Sequence, residues 1–315
     1  MDEPRTPTDL RPRSWWGVLK RTVRGFGSNN LTDWAAALTY YGVLSLFPGL
    51  LVLVSLLGLV GQSATQPLID TMTQLAPGPA RELLTTAISN LQQSQGAGIA
   101  AIVGLALALW SASGYIGAFM RASNAVYDVP EGRPLWKTIP IRIVVTVITA
   151  VLVAVSVLAV VLTGPVAEQV GRLIGLESFA IRVWDIAKWP VLIGFVIVIL
   201  ALLYRASPNA RQSGLRWISP GAVLAVVLWL VASAGFALYV ATFGAYNKTY
   251  GVLAGVIVFL IWLWISNIAV LLGVEFDAEL ERGRAIEQGH PVDEEPFVEL
   301  RDTRAVREDT DPDLG

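Results

Sequence analysis

One stretch limits what this chain can fold into. Leu31 to Gly61 reads LTDWAAALTYYGVLSLFPGLLVLVSLLGLVG and carries a single charge, Asp33, near its start. From Trp34 to Gly61 it is uncharged and mostly apolar. A helix needs about 20 such residues to cross the hydrocarbon core of a bilayer, so this stretch is long enough to span with a tilt or a bend. Pro48 lies inside it. A proline ring displaces the carbonyl four residues earlier and removes one backbone hydrogen bond, so a kink is expected there. Tyr40, Tyr41 and Ser45 precede the kink and make the first half the polar half. The pattern predicts a membrane protein with a polar inward face.

Composition agrees. Of 315 residues, 54% are hydrophobic and 15% charged, where a soluble domain carries about 25% charged residues. Mean hydropathy is +0.57. The net charge of −2 says nothing about nucleic acid; the distribution of charge says more. The chain has no cysteine, which excludes disulfides, thiolate zinc sites and a cysteine nucleophile. Its one histidine, His290, lies in a charged tail. The opening MDEPRTPTDLRPRS is polar and lacks the apolar region of a cleavable signal peptide, so none is expected.

Residues 1–13 are rich in proline and charge, and disorder is expected there. From Ser14 to Phe26, Trp15, Leu19, Val23 and Phe26 recur at helical spacing, with Lys20, Arg21 and Arg24 largely opposite. Two readings stand: an amphipathic helix on an anionic membrane surface, or a helix packed on the protein's own cytoplasmic face. Six uncharged apolar stretches follow, at about 34–61, 98–120, 143–167, 189–204, 217–243 and 249–274. The fourth is short and is expected to begin earlier, with Trp184 and Trp189 as interfacial anchors and Lys188 snorkelling. Between spans 1 and 2, Pro79 to Ser94 places Ala80, Leu83, Leu84, Ala87, Ile88 and Leu91 on one helical face. Residues 167–184 have a weaker amphipathic character. The tail from Arg284 is acidic and holds Pro291 and Pro296, so disorder is expected over 284–315. The expected organisation is a disordered tail over 1–13, a six-span domain over 14–283 and the acidic tail.

Lys and Arg numbers from the N-terminal segment through successive loops to the tail run six, one, four, three, three, one and five. They alternate as six spans require, with only the fourth loop ambiguous. By the positive-inside rule both termini are cytoplasmic. The fold class is therefore all-α and polytopic, with amphipathic surface helices.

The residues that could carry chemistry are few. Asp33 reads either as a first-turn acid favoured by the helix dipole or as an ion-pair partner of Arg121 or Arg142. Glu275, in GVEFDAELER, falls at the expected end of span 6. The carbonyl end of a helix disfavours an anion, so a cationic partner is expected. The alternative is that Glu275, Asp277, Glu279 and Glu281 form a solvated helical extension. Tyr40, Tyr41, Ser45, Ser111, Ser113, Tyr115, Ser266 and Asn267 lie within or near spans, where such groups bond to neighbouring helices or line a wet cavity. Trp110, Trp229 and Trp262 fall near the middles of spans rather than in the usual interfacial belt. No ionisable residue sits deep in a span, which counts against a proton-coupled pump. No phosphate-binding loop, HExxH or histidine-rich metal cluster is present.

Several separated runs resemble the YihY/BrkB family of bacterial membrane proteins. They are DWAAALTYYGVLSLFP (33–48), NAVY (124–127), YRASPN (204–209) with WISPGA (217–222), YNKTYG (246–251), WLWISN (262–267) and GVE (273–275). The resemblance covers roughly residues 15–283. It implies a six-span inner-membrane protein with both termini inside. Members have carried the label ribonuclease BN. This sequence argues against taking that label literally, because it has no ligand cluster for two metals, and its basic residues are spread among loops as topology alone requires.

The reading that follows is a protein that moves or binds an amphiphilic envelope component, with a non-transporting scaffold as the alternative and no catalytic residues, cofactor or metal. Its expected partners are membrane lipids and an amphiphile, not nucleic acid. The expected functional core is Asp33, Tyr40, Tyr41, Pro48, Asn124, Trp262, Asn267 and Glu275. Oligomeric state and substrate stay open.

Overall fold

The computed structural model describes residues 10–59, 97–161, 178–212, 219–242, 247–292 and 294–306. Among them are seven helices: α1 (Pro12–Ser28), α2 (Leu31–Leu59), α3 (Ala97–Val126), α4 (Leu135–Val161), α5 (Ser178–Ala206), α6 (Ser219–Thr242) and α7 (Asn247–Glu287). The described residues form no strand beyond an isolated antiparallel bridge between Ala210 and Leu300.

Among the described residues, four helices are long and apolar enough to cross a membrane, over Leu135–Ser156, Ile186–Ala206, Pro220–Val240 and Gly255–Glu287. They answer to the third through sixth expected spans. Their outward residues are apolar, with Val144, Val151, Val227, Val231, Leu238 and Ile261 all exposed, as a hydrocarbon solvent requires. The first two expected spans fall on α2 and α3, of 29 and 30 residues. Pro48 lies within the helical run of α2, but its side chain, and with it the expected kink, lies outside the described residues. The expected outer-loop helix over Pro79–Ser94 also lies outside them, as does most of 167–184. α5 begins at Ser178, upstream of residue 189 as anticipated. Lys188 does not snorkel to water; it is buried, with its ammonium 5.8 Å from the Trp189 ring centre.

The chain divides into two compact units. One comprises Met1–Tyr40, Tyr115–Val145 and Ile197–Gly315; the other comprises Tyr41–Gly114 and Thr146–Val196. In the first, α7 is the common partner and packs against both α6 and α1. At 41 residues and 1.5 Å per residue, α7 is about 60 Å long, which exceeds a bilayer of about 40–45 Å with its headgroups. It must therefore project from the membrane. α1 lies antiparallel along the last three turns of α7: Ser14 meets Glu287, Val18 meets Gly283, Arg21 meets Glu279 and Gly25 meets Glu275. Leu10, Val18, Phe276 and Leu280 form a small core there, flanked by Trp15 and Leu224.

The expected disorder over 284–315 is overturned for residues 284–292 and 294–306. α7 runs on to Glu287, and Phe297 and Val298 are buried. Composition misled here because a few anchoring residues are enough to hold an acidic, proline-bearing segment against a prepared surface.

α6 and α7 approach at two glycines. A Cβ on Gly221 would lie 2.2 Å from the Gly273 carbonyl oxygen; one on Gly273 would lie 2.6 Å from the Gly221 carbonyl oxygen and 2.4 Å from Tyr204 Oη. Backbone cannot yield as a flexible side chain can, so either added methyl must part the helices. We expect Gly221→Ala or Gly273→Ala to destabilise the detergent-solubilised protein by about 1–3 kcal/mol. Gly235→Ala and Gly255→Ala, where a Cβ meets nothing within 4 Å, should leave the thermal midpoint unchanged or raise it. Equal midpoints for all four variants would refute this account of the α6–α7 contact.

Candidate functional site

Four carboxylates alternate along α7: Glu275, Asp277, Glu279 and Glu281. At 100° per residue, Glu275 and Glu279 share one face while Asp277 and Glu281 share another. All four are buried, so the expected solvated extension is overturned.

The first face looks onto α1. Glu275, 2% exposed, accepts a hydrogen bond from Asn29 Nδ2 at 2.8 Å. Glu279 pairs with Arg21 and lies 3.3 Å from Arg282. Gly25 leaves room for this carboxylate, since a Cβ there would lie 1.8 Å from Glu275 Oε1. The expected cationic partner of Glu275 is thus replaced by a neutral amide. The physical reason is that α7 does not end at Glu275 but continues for three more turns, so no terminal carbonyls face the carboxylate.

The second face looks onto the start of α6. The first four N–H groups of a helix have no partner within it. Asp277 Oδ1 accepts one of them, the Gly221 N–H, at 2.7 Å. It is a capping carboxylate supplied from another helix, in the field of the α6 N-terminus. Its other oxygen is buried without a hydrogen-bond partner among the described residues. Glu281 pairs with Arg284 at 3.0 Å.

Farther along α7, polar side chains join helices. Tyr115 Oη donates to Asn267 Oδ1 at 2.9 Å, Asn267 Nδ2 donates to Thr39 Oγ1 at 3.0 Å, and Thr39 Oγ1 donates to the Ala35 carbonyl at 2.8 Å. This chain ties α3, α7 and α2. Between α6 and α7 the bonding is reciprocal. Trp229 Nε1 donates to Ser266 Oγ at 3.1 Å, and Trp262 Nε1 donates to Ser233 Oγ at 3.2 Å. The two indoles meet edge to face at 6.3 Å. Phe259 lies against Trp262 at 6.2 Å, and Phe236 stacks on an exposed Tyr239 at 6.4 Å. Trp229, Trp262 and Phe259 form an aromatic ladder on the α6–α7 pair, and Phe236 and Tyr239 form a second pair of rings on α6.

A third cluster is built from loops. Asn124, buried at the end of α3, accepts the Asn209 N–H at 2.7 Å and donates to Glu131 at 3.0 Å. Asn209 then clasps the C-terminal segment. Its Nδ2 donates to the Asp302 carbonyl at 2.8 Å, its Oδ1 accepts the Asp302 N–H at 3.1 Å, and its own carbonyl accepts the Arg301 N–H at 2.8 Å. The Arg133 side chain makes two bonds to Glu131, its backbone N–H a third, and its guanidinium donates to the carbonyls of Ala206 and Ser207, satisfying acceptors left over where α5 ends. Asp302 receives Lys137 and Arg304, each at 2.8 Å. Phe297 stacks on Tyr127 at 6.0 Å and lies beneath the Arg282 guanidinium at 4.4 Å. Burial raises the Tyr127 phenol well above its ordinary value, with nearby Asp277 adding to the effect. Burial alone would raise Glu131 too, but the Arg133 hydrogen bonds and charge outweigh it and lower the carboxyl. Arg304 and Lys137 hold Asp302 well below the usual carboxylate range.

The expected core is therefore dispersed. Glu275, Asn267 and Asn124 are buried, each in a different one of these clusters, and Trp262 belongs to the ladder. Asp33 is exposed in the first turn of α2, Tyr40 is exposed, and Tyr41 lies near Gly114. Arg121 is exposed, while Arg142 lies against Gly117. Sequence reasoning missed Asn29, Asn209, Arg133 and Asp302 as site residues. Asn209 could have been found, because it closes the YRASPN run. Asp302 carried little signal, since its partners other than Arg304 lie far away in the chain. Among the described residues no group of three or more His, Cys, Asp or Glu side chains is arranged to hold a metal ion.

The virulence factor BrkB family matches the chain over residues 22–296. A protein of Bacillus subtilis named as ribonuclease-like, YfkH, is 32% identical over 261 residues, covering 82% of this chain and 92% of its own. A UPF0761 membrane protein of Alteromonas mediterranea is 28% identical over 282 residues, covering 87% and 90%. Another, of Aeromonas salmonicida, is 28% identical over 260 residues, covering 80% and 85%. No solved structure matches the chain.

Gly132 faces the C-terminal segment so closely that a Cβ would lie 1.9 Å from the Asp302 carbonyl oxygen. We expect Gly132→Ala to release residues 299–306. A nitroxide on Thr303→Cys, unique in a chain without cysteine, should gain mobility in that variant. The sign with pH follows from Glu131 and Asp302. Both have lowered carboxyls in the folded protein, so their contribution is full above the unfolded values near 4 and is lost as pH falls through the folded ones. The same label should therefore loosen on acidification below about pH 4. A label equally restrained at acid pH and in Gly132→Ala would contradict these anchors.

Proposed function

The chain belongs to the virulence factor BrkB family, and from that premise we propose that it is a six-span membrane protein which binds or translocates an amphiphilic envelope component. The spans are α2 to α7, with α2 kinked at Pro48. Both termini lie on the cytoplasmic side of a bacterial inner membrane. The alternation of Lys and Arg among the loops supports that orientation.

One observation carries the amphiphile reading: the aromatic ladder of Trp229, Phe259 and Trp262, with the Phe236–Tyr239 pair also on α6. It stands on helices apolar enough to cross a membrane. Phe259 and Tyr239 are exposed, while both indole N–H groups are already satisfied by serines. A surface of rings with its polar atoms spent offers apolar contact to acyl chains. The role is non-enzymatic in this reading. The ribonuclease-like name belongs to the Bacillus subtilis relative, and the buried carboxylates Glu275, Asp277 and Glu279 of α7 are engaged with groups outside that helix.

A scaffold that transports nothing is the second reading. It is favoured by the way Tyr115, Asn267 and Thr39 bond to one another across helices rather than lining an open path. Native mass spectrometry of the protein extracted with its own lipids separates the two. A lipid or glycolipid retained by the wild type should fall several-fold in Trp262→Ala and Tyr239→Ala. Unchanged bulk phospholipid in all three samples would move the scaffold ahead.

A further inference from the structure

α1 has three faces, and only one of them is used by the protein itself. Val18, Thr22 and Gly25 are buried against α7, with Trp15 and Arg21 at the edges of that contact. Next around the helix come Trp16, Leu19 and Val23, spaced i, i+3 and i+7. They are 72%, 47% and 75% exposed. Beyond them come Arg13, Lys20 and Arg24, spaced i, i+7 and i+11, also exposed. The charges differ in kind from face to face. Arg21, on the packed side, is neutralised by Glu279. Among the described residues no carboxylate pairs with Arg13, Lys20 or Arg24.

Only Asn29 and Asn30 separate α1 from α2, and Asn30 turns the chain with a φ of +49°. The apolar stripe is therefore held beside the point where α2 enters its apolar stretch. Packing against α7 fixes the roll of α1 about its axis, so the stripe and the basic row keep one outward orientation.

We infer that the outward side of α1 docks on the anionic phospholipid surface of the leaflet that α2 enters. Trp16, Leu19 and Val23 insert at the boundary of headgroups and acyl chains, and Arg13, Lys20 and Arg24 lie among the phosphates. An apolar stripe flanked by unpaired cations matches acyl chains beneath anionic headgroups. The tryptophan adds an apolar body with a polar N–H, suited to that depth. This goes beyond the amphiphile reading and does not depend on it: it needs only that α2 is in the membrane.

The absence of cysteine makes a direct test available. Full-length Val23→Cys carries an environment-sensitive fluorophore and is reconstituted in vesicles of phosphatidylcholine alone or with phosphatidylglycerol added. We expect blue-shifted emission and protection from aqueous iodide in the anionic vesicles. A label on Thr303→Cys, an exposed residue of the C-terminal segment, should stay quenchable in both. Adding Lys20→Gln and Arg24→Gln should lower the ratio of protected to quenchable label about fivefold per charge removed. Both residues are exposed, so their loss leaves the α7 contact intact. A Val23 label equally quenchable in both vesicles overturns the proposal. So does protection that persists in dilute detergent and depends on protein concentration, which would assign the stripe to a second copy of the chain.

Discussion

The contact between Gly221 and Gly273 sets the separation of two helix backbones, and much of the first compact unit depends on it. With no side chain on either residue, the α6 N-terminus comes close enough for Asp277 to reach the Gly221 N–H. The carboxylate then satisfies a donor that α6 cannot satisfy itself. A wider contact would leave the donor and the acid unpaired in a buried place, a double cost. The same approach brings Tyr204 over Gly273, where its hydroxyl donates to the Val270 carbonyl at 2.6 Å.

α7 is consequently a spine rather than one span among equals. Its apolar length carries the serine–tryptophan exchange with α6 and the Asn267 link to α2 and α3. Its projecting turns carry acids on two faces, one for α1 and one for α6. Polar groups placed in apolar surroundings are costly unless they find partners. Here the partners come from other helices, so the polar groups select which helices meet and in what register. The same logic governs the loop cluster. Asn209 spends its side-chain hydrogen bonds on backbone groups of irregular segments, which have no ladder or helix of their own to satisfy them, and Asn124 in turn accepts the Asn209 N–H.

The C-terminal segment shows how local composition and tertiary structure can disagree. By composition, 294–306 is acidic and solvated. In the fold it is tied down by a handful of contacts: Phe297 on Tyr127, Asp302 between Lys137 and Arg304, and the two-way amide exchange with Asn209. Apart from Arg304, which lies within the segment, each partner lies at least 90 residues earlier in the chain. No window of sequence contains both halves of such an interaction.

What the sequence determined by itself was what depends on counting along one segment. Apolar length marked the membrane helices, because the thickness of hydrocarbon is a fixed requirement. The spacing of Trp15, Leu19, Val23 and Phe26, with Lys20, Arg21 and Arg24 largely opposite, marked an amphipathic α1, because a helix turns by a fixed angle. The family runs from DWAAALTYYG to GVE were also legible as they stand. Tertiary structure alone decided which residues meet. It showed that α7 outruns Glu275, turning an anticipated helix end into a buried interior. It gave Glu275 an amide instead of an arginine and put Asp277 at the mouth of another helix. It also split the two early readings of α1, since one face packs on the protein while the opposite side stays open. Those outcomes rest on the distances between separate helices. Pairing energies act across space, and a linear pattern records only the demand for a partner, not its identity.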